Sequence, residues 1–293
     1  MNQVIYGQSA ADYRRAEGLN KSSIDKILRC PAEYHELTLL PDVEPTPAMR
    51  FGTALHSLVL EPERFSEEVT VLSAPATTKA GKAMKKEAEE AGRVAISTED
   101  YERAFRMRGH MIRHPRIRPL LPHVECELSK GLQSLPGKSE VSVFWEREVL
   151  CEPLQCKARV DRLCTLPDNS VIAVDVKTTS GGLDRDSIAK HVATYGYHRQ
   201  AAWYCEGLQE NGLNVQAFVF VFTSTQPPYL CVPVMLDARA EMLGQEECKI
   251  AAEAYVKALA TDTWPSYSEG VYELDIPEWA YHRSPAKLPT MWD

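Results

Sequence analysis

At 293 residues with 44% apolar content, the chain is long enough to bury one large core or two small ones without disulfide staples. A formal net charge of −8 excludes a protein that coats nucleic acid by bulk electrostatics, and no run approaches the roughly 18 apolar residues of a membrane span. The opening stretch MNQVIYGQSAADYRRAEG has no apolar h-region, so the protein is expected in the cytoplasm, away from membranes. Eight cysteines, at 30, 126, 151, 156, 164, 205, 231 and 248, include no CxxC pair. They are expected to be reduced core thiols, because the spacings lack the close runs of iron–sulfur ligation.

Asn20 before KSSIDKILRC reads as the cap of a packing helix with Ile24, Ile27 and Leu28 on one face, stopped near Pro31. After a proline-rich loop over Pro41–Pro47, Ala48–Leu60 reads as an apolar helix in which Gly52 and Ala54 permit close packing. His56 is the odd residue in it. A lone histidine on an apolar helix is more often a satisfied core residue than a ligand, but carboxylates later in the chain shift that balance. Residues Ala74–Gly92, rich in Ala, Lys, Glu and Gly, read as a mobile loop or an exposed helix. Ser97-Thr98-Glu99-Asp100 then caps a helix to about Arg113 with Tyr101, Ala104, Phe105, Met107 and Met111 inward. His110 and His114, one turn apart, read as exposed side chains in preference to a metal pair.

From Glu140 the period changes to that of strands. Glu140–Trp145 is one strand. Lys157–Thr165 sends Ala158 and Val160 to one face and Asp161 and Leu163 to the other, and Val171–Val176 is an almost unbroken apolar run carrying Asp175 near its end. The intervening Leu166–Ser170, with Pro-Asp-Asn, is a turn signal. Lys177 follows Asp175 by two residues and therefore shares its face. Two carboxylates and an ammonium can thus converge, a trio that suits metal-assisted phosphodiester hydrolysis. Carboxylate oxygens are the hard ligands Mg²⁺ prefers, and a lysine beside them can orient or deprotonate metal-activated water. The bland alternative pairs Asp161 with Arg159 or Arg162 at the surface and leaves Asp175 and Lys177 as a solvated strand end. Glu140 is either an exposed strand-end carboxylate or a third acid at the same site.

A glycine-bearing turn is expected to cap a helix at Asp184 or Asp186. Tyr195–Leu208 is helical in pattern and puts Gln200 and Tyr204 four apart on one face, as an aromatic packing surface or as contacts to phosphate or metal-bound water. Asn214–Phe222 and Tyr229–Leu236 read as a second strand pair, and Asp237 to about Leu259 as a long helix with Leu243, Ile250, Ala254 and Ala258 along one stripe. The aromatic stretch that follows is expected to be irregular, laid across the domain or against a neighbour. With no repeat and no linker, one domain is expected over 1–293: a mainly helical part at 1–125, a sheet core at 139–236, and a helix with an aromatic tail at 237–293.

The motifs LNKSSIDKILRCPAEYH, MRFGTALHSLVLEPERF, SEVSVFW, RVDRL, VDVKTT and YHRQAAWY, in this order, resemble the PD-(D/E)xK nuclease superfamily. Within it they are most similar to the RecB-like group and the exonuclease VIII (RecE-type) catalytic domain. RVDRL departs from the family pattern in having no proline before Asp161. The resemblance implies an α/β fold, a restriction-endonuclease-like core of mixed β-sheet flanked by helices. It also implies Mg²⁺, with Mn²⁺ as a substitute, held by His56, Asp161, Asp175 and the Val176 carbonyl. Lys177 would orient the attacking water, and Gln200 and Tyr204 would support substrate. The activity implied is degradation of linear double-stranded DNA, 5′→3′, by a ring-shaped homo-oligomer, exposing 3′ single strands for a single-strand annealing protein in phage-type recombination. The alternatives are a RecB-like nuclease acting on single strands and a non-catalytic DNA-end-binding module. The filled Asp, Asp and Lys positions speak against the module, and the lack of clustered C-terminal cysteines against the single-strand nuclease.

Overall fold

The computed structural model describes residues 2–40, 44–122, 133–268 and 270–281. In chain order the elements are β1 (Gln3–Ile5), α1 (Ala10–Arg15), α2 (Lys21–Arg29), α3 (Pro31–Thr38), α4 (Pro47–Leu60), α5 (Phe65–Glu68), β2 (Val69–Leu72), α6 (Lys79–Glu90), β3 (Val94–Ser97) and α7 (Thr98–Arg113). A 3₁₀ turn at Arg118–Leu120 leads to β4 (Gly137–Val149), β5 (Glu152–Thr165), β6 (Val171–Thr179), α8 (Arg185–Tyr195), α9 (Tyr197–Glu210), β7 (Val215–Ser224), β8 (Cys231–Val234), α10 (Ala238–Thr261) and α11 (Glu278–Tyr281).

The helices begin where polar caps satisfy the first free amide groups. Asn20, Ser97, Asp184 and Asp237 each accept from the backbone N–H three residues on. The sheet has six strands in the order β1-β4-β5-β6-β7-β8. All neighbours are antiparallel except β6 and β7, which are parallel and so need a crossover, supplied by α8 and α9. The near-continuous apolar run of β6 follows from burial on both faces. Ala173 packs in the cluster that α9 and α10 cover, while Val174 and Val176 pack in the cluster that α4 and α7 cover. The result is a mixed α/β sandwich of helices around a mostly antiparallel sheet. A second, two-stranded parallel sheet pairs β2 with β3.

Close backbone approach sets the helical layer on the α9 side. A Cβ on Gly207 would stand 2.6 Å from the Trp145 ring, and one on Gly244 would stand 2.3 Å from the His198 carbonyl oxygen, so only glycine lets α9 sit down on β4 and α10 on α9.

Several expected details differ. Leu163 packs with Ala158 and Val160 and not on the face of Asp161, because the β4–β5 ladder is interrupted at Glu140 and Asp161. Of the two readings of Ala74–Gly92, residues 79–90 take the helical one as α6, capped by Thr78. The short strands β1, β2 and β3 carry too few residues for a pattern of period two to be visible. Helix α10 buries Gly244, Cys248, Ala251, Ala252, Val256 and Ala258, whereas Leu243 and Ile250 are exposed. Small residues win the buried face because α10 packs close to α9 and α2. Phe105 on α7 is likewise exposed, and Gly52 does not mediate packing, since a Cβ there would meet nothing within 4 Å. The seven described cysteines are unpaired, with Cys30, Cys156, Cys164 and Cys248 buried; Cys126 lies outside the described residues. Past α10, the Trp264 ring stacks on His35 at 4.5 Å and the Tyr267 hydroxyl donates to Glu33, so this part of the aromatic stretch lies across α3 of its own chain. Among the described residues no helix is long and apolar enough to cross a membrane.

Candidate active site

The antiparallel pairing of β4, β5 and β6 and the packing of α4 over them bring His56, Glu140, Asp161, Asp175 and Lys177 together. One ligand atom each from His56, Glu140 and Asp161 lies within 4.8 Å of the others. Asp161 and Asp175 are buried, at 9% and 1% exposure, and neither is the surface carboxylate of the bland reading. Arg159 pairs instead with Glu140, Nε to Oε2 at 2.6 Å, and Arg162 donates to the carbonyls of Leu120 and Leu135. Arg159 shares the face of Asp161 by strand parity, but its partner across the strand pair is a contact that parity within one strand does not reveal.

The carboxylates are fixed by different donors. Asp161 Oδ2 accepts the Val176 amide at 2.8 Å. Asp175 Oδ2 lies 2.6 Å from Lys177 Nζ, as their shared face predicts, and Asp175 Oδ1 accepts the Gln200 amide. Gln200 is buried, so it holds a site carboxylate in place. Tyr204, one turn further along α9, packs edge-on against Phe218 at 6.1 Å. Burial, reinforced by Tyr13, Asp175, Asp161 and Glu140, pushes its phenol well above the ordinary range.

His56 Nε2 donates to the Val176 carbonyl at 2.9 Å, and Nδ1 lies 3.6 Å from Asp161 Oδ2. Two of the expected metal donors, His56 and the Val176 carbonyl, are therefore hydrogen-bonded to each other here. Both ring nitrogens face acceptors, which suits the imidazolium. Burial pulls the His56 pKa down, but Asp161, Glu140 and Asp175 outweigh it and the net direction is up. Burial likewise opposes the charged form of Lys177, and Asp175 and Asp161 reverse that, so it stays an ammonium. For Asp161, burial and then the Asp175 charge raise the carboxyl to about 7, against a smaller lowering by His56. Acids held this close without full compensation are what a cation relieves. Carboxylate oxygens, a carbonyl oxygen and one imidazole are donors that fit a hard divalent ion such as Mg²⁺ or Mn²⁺.

With an aspartate on one strand and Asp175-Val176-Lys177 on the next, the geometry is that of a PD-(D/E)xK site. The family model described as a PDDEXK-like domain of unknown function (DUF3799) matches residues 21–275. The chain belongs to this PDDEXK-like family. Membership supports a nuclease. Among solved structures, a protein from Eubacterium rectale bearing the name "Putative exonuclease" shares 14% identity over 96% of this chain and 95% of its own, with a TM-score of 0.59. At that identity the likeness is one of fold. Rai1 from Scheffersomyces stipitis, in complex with (3′-NADP)⁺ and calcium, matches at 10% identity over 90% of this chain and 76% of its own. Its TM-score of 0.29 carries no argument. No curated protein matches this sequence.

Sequence reasoning missed the surroundings of Lys177. Its Nζ lies 4.7 Å from the Tyr197 ring centroid, and Lys21 Nζ approaches the same ring at 5.5 Å. Strand and helix periodicity place each of these residues on a face but say nothing of the α2, α9 and β6 junction where they meet.

Proposed function

We propose that this PDDEXK-like protein is a Mg²⁺-dependent exodeoxyribonuclease that degrades linear double-stranded DNA. The observation that supports it most is the buried convergence of Asp161 and Asp175, with Lys177 ion-paired to the second. A bound Mg²⁺ or Mn²⁺ supplies Lewis acidity toward the phosphate and lowers the pKa of its water. His56, Asp161, Asp175 and the Val176 carbonyl would hold it, with Glu140 as a further acid kept in reach by Arg159.

The chain's own groups do the rest. Lys177, held against Asp175, donates a hydrogen bond to the attacking water and keeps positive charge beside the phosphate as negative charge builds there. Gln200 and the Val176 N–H fix the two aspartates, so that little reorganisation is needed at the moment of reaction. Tyr204 backs this shell from the α9 side.

The exonuclease reading draws on the name of the Eubacterium rectale neighbour and on charge. With a net charge of −8 a single chain has little long-range hold on DNA, so sustained degradation favours an oligomer that encloses the duplex. Val271 and Leu274, both exposed, are apolar surface available to a second copy. In this reading the enzyme proceeds 5′→3′ in the manner of exonuclease VIII and leaves 3′ single strands for an annealing protein in recombination, inside a bacterial cell. The test is digestion of end-labelled linear and covalently closed circular DNA with and without Mg²⁺. Linear duplex should be consumed only with metal while circles survive, with label released from 5′ ends first. Rapid cutting of circles would replace the exonuclease by an endonuclease, and cleavage in chelator would remove the metal site.

A further inference from the structure

Beside Lys177 an aromatic ladder climbs from the core to the surface. Phe218 and Phe220 on β7 meet at 4.8 Å, Phe220 meets Tyr197 at 5.6 Å with planes 28° apart, and Tyr197 meets Tyr195 at 5.8 Å with planes 19° apart. His191, one turn before Tyr195 on α8, stands 4.5 Å from it and 5.7 Å from Tyr197. The ladder starts at Phe218 and Phe220, both buried, and ends at Tyr195, 54% exposed. A core-packing role accounts for the inner rungs. It does not account for an outer ring held nearly parallel to its neighbour and yet more than half exposed.

The outer end is also rigid. It sits at the α8–α9 corner, where Gly196 takes a φ of +62°. Lys21 Nζ donates to the Tyr195 carbonyl at 2.6 Å and pairs with Asp25 at 2.6 Å, tying the corner to α2. The exposed ring is therefore preorganised, and it is two ring contacts from the Lys177 ammonium.

Resting on the nuclease reading, we propose that Tyr195 and His191 form a stacking platform for a nucleobase of the DNA strand whose phosphate enters the carboxylate cluster. Any base offers a π-face, so stacking tolerates every sequence, as an exonuclease requires. Inside a duplex both faces of a base are covered by its neighbours. A terminal or frayed base has a free face, so the platform selects strand ends and lets the cluster act there.

The experiment uses the full-length protein and DNA with 2-aminopurine at the terminal position of one strand. Binding is measured in chelator and in Ca²⁺, and cleavage of the same DNA in Mg²⁺. Wild type should change the fluorescence of the terminal probe and not that of a probe placed far inside the duplex. Tyr195→Ala should abolish that change and weaken binding to ends about tenfold, while Tyr195→Trp restores both and Tyr272→Ala, a second exposed tyrosine, alters neither. Circular dichroism should show the fold unchanged, since Tyr195 is mostly exposed. Wild-type cleavage of linear DNA with no fluorescence change at the end, or an unaltered Tyr195→Ala, would overturn the platform and leave the nuclease intact. Absence of cleavage by wild type in Mg²⁺ would overturn both.

Discussion

Two clusters of charge share helix α9, and consecutive residues serve them: Gln200 the one, His198 and Arg199 the other. In the second, Arg199 Nε lies 2.7 Å from Asp25 and Nη1 2.6 Å from Glu247. His198 Nε2 lies 2.7 Å from Glu247, and Lys21 pairs with Asp25. Every carboxylate there has a cation at contact distance. Burial pushes the Glu247 pKa up, but the bonds to Arg199 and His198 outweigh it and leave the carboxyl below its ordinary value. In the first cluster the same kinds of group give the opposite result. Asp161 has a backbone amide at contact, an imidazole at 3.6 Å and a second buried aspartate close by, and it is pushed up to about 7. One cluster is internally neutralised and joins α2, α9 and α10. In the other, Asp161 has no ion pair closer than the imidazole at 3.6 Å, and its ionised form is costly in that buried position unless a cation joins it.

The comparison can be broken most directly at Asp175. Asp175→Asn is expected to lower metal-dependent cleavage by about 10³-fold or more, because it removes charge from the site that holds metal and Lys177. Its melting temperature in chelator should stay equal or rise, since one of the crowded acids is gone. Cleavage rate and a thermal melt check the two halves, and near-normal cleavage would refute the site. Next, His56→Ala should reduce apparent metal affinity about 10- to 100-fold, and excess Mn²⁺ should recover much of the activity. A titration of cleavage against Mn²⁺ decides it, with an unchanged midpoint removing His56 from the ligand set.

On the neutralised side, Arg199→Met should cost about 2 kcal/mol of stability by leaving Asp25 to Lys21 alone and Glu247 to His198 alone, a value kept modest by those remaining partners and by partial exposure. It should leave the midpoint of the metal titration where it was, which denaturant melts and the same titration can test together. Gln200→Leu should sit between the two clusters in effect. It should lower cleavage about tenfold through a less well-held Asp175 while changing stability little. The smallest effect is on pH. Because the folded pKa of Glu247 is lowered, its contribution to stability is whole above the ordinary glutamate value of 4.5 and is lost as pH falls through the folded value. Glu247→Gln should flatten that acid limb, and an identical pH profile for wild type and variant would show the pair to be unimportant.

The active strands were legible because their chemistry conflicts with their pattern. Asp175 ends an apolar run fit for a buried strand, and Lys177 is forced to its side by period two. The cap residues Asn20 and Ser97 stood out for the same local reason, as side-chain oxygens immediately before helical runs, while the structure chose Asp184 over Asp186 for α8. His56 was ambiguous until carboxylates could be set beside it. The face of α10 was right at Ala254 and Ala258 and misread at Leu243 and Ile250, because hydrophobicity alone favours the large residues whereas the close approach of α9 near Gly244 favours small ones.

What the sequence by itself determined is therefore local: which of the longer segments are strands or helices, roughly where they start, and that Asp161, Asp175 and Lys177 lie on strands whose apolar pattern calls for burial. Only the tertiary structure decided who pairs with whom. Gln200 binds Asp175, Arg159 binds Glu140 and not Asp161, and Lys21 meets the ring that Lys177 covers. Each of these contacts joins separate elements across the β4–β5 pair, the β6–α9 interface or the α2–α9 corner. Periodicity along a chain orients a side chain about its own axis, but its partner depends on sheet order and on which helix is pressed against that face.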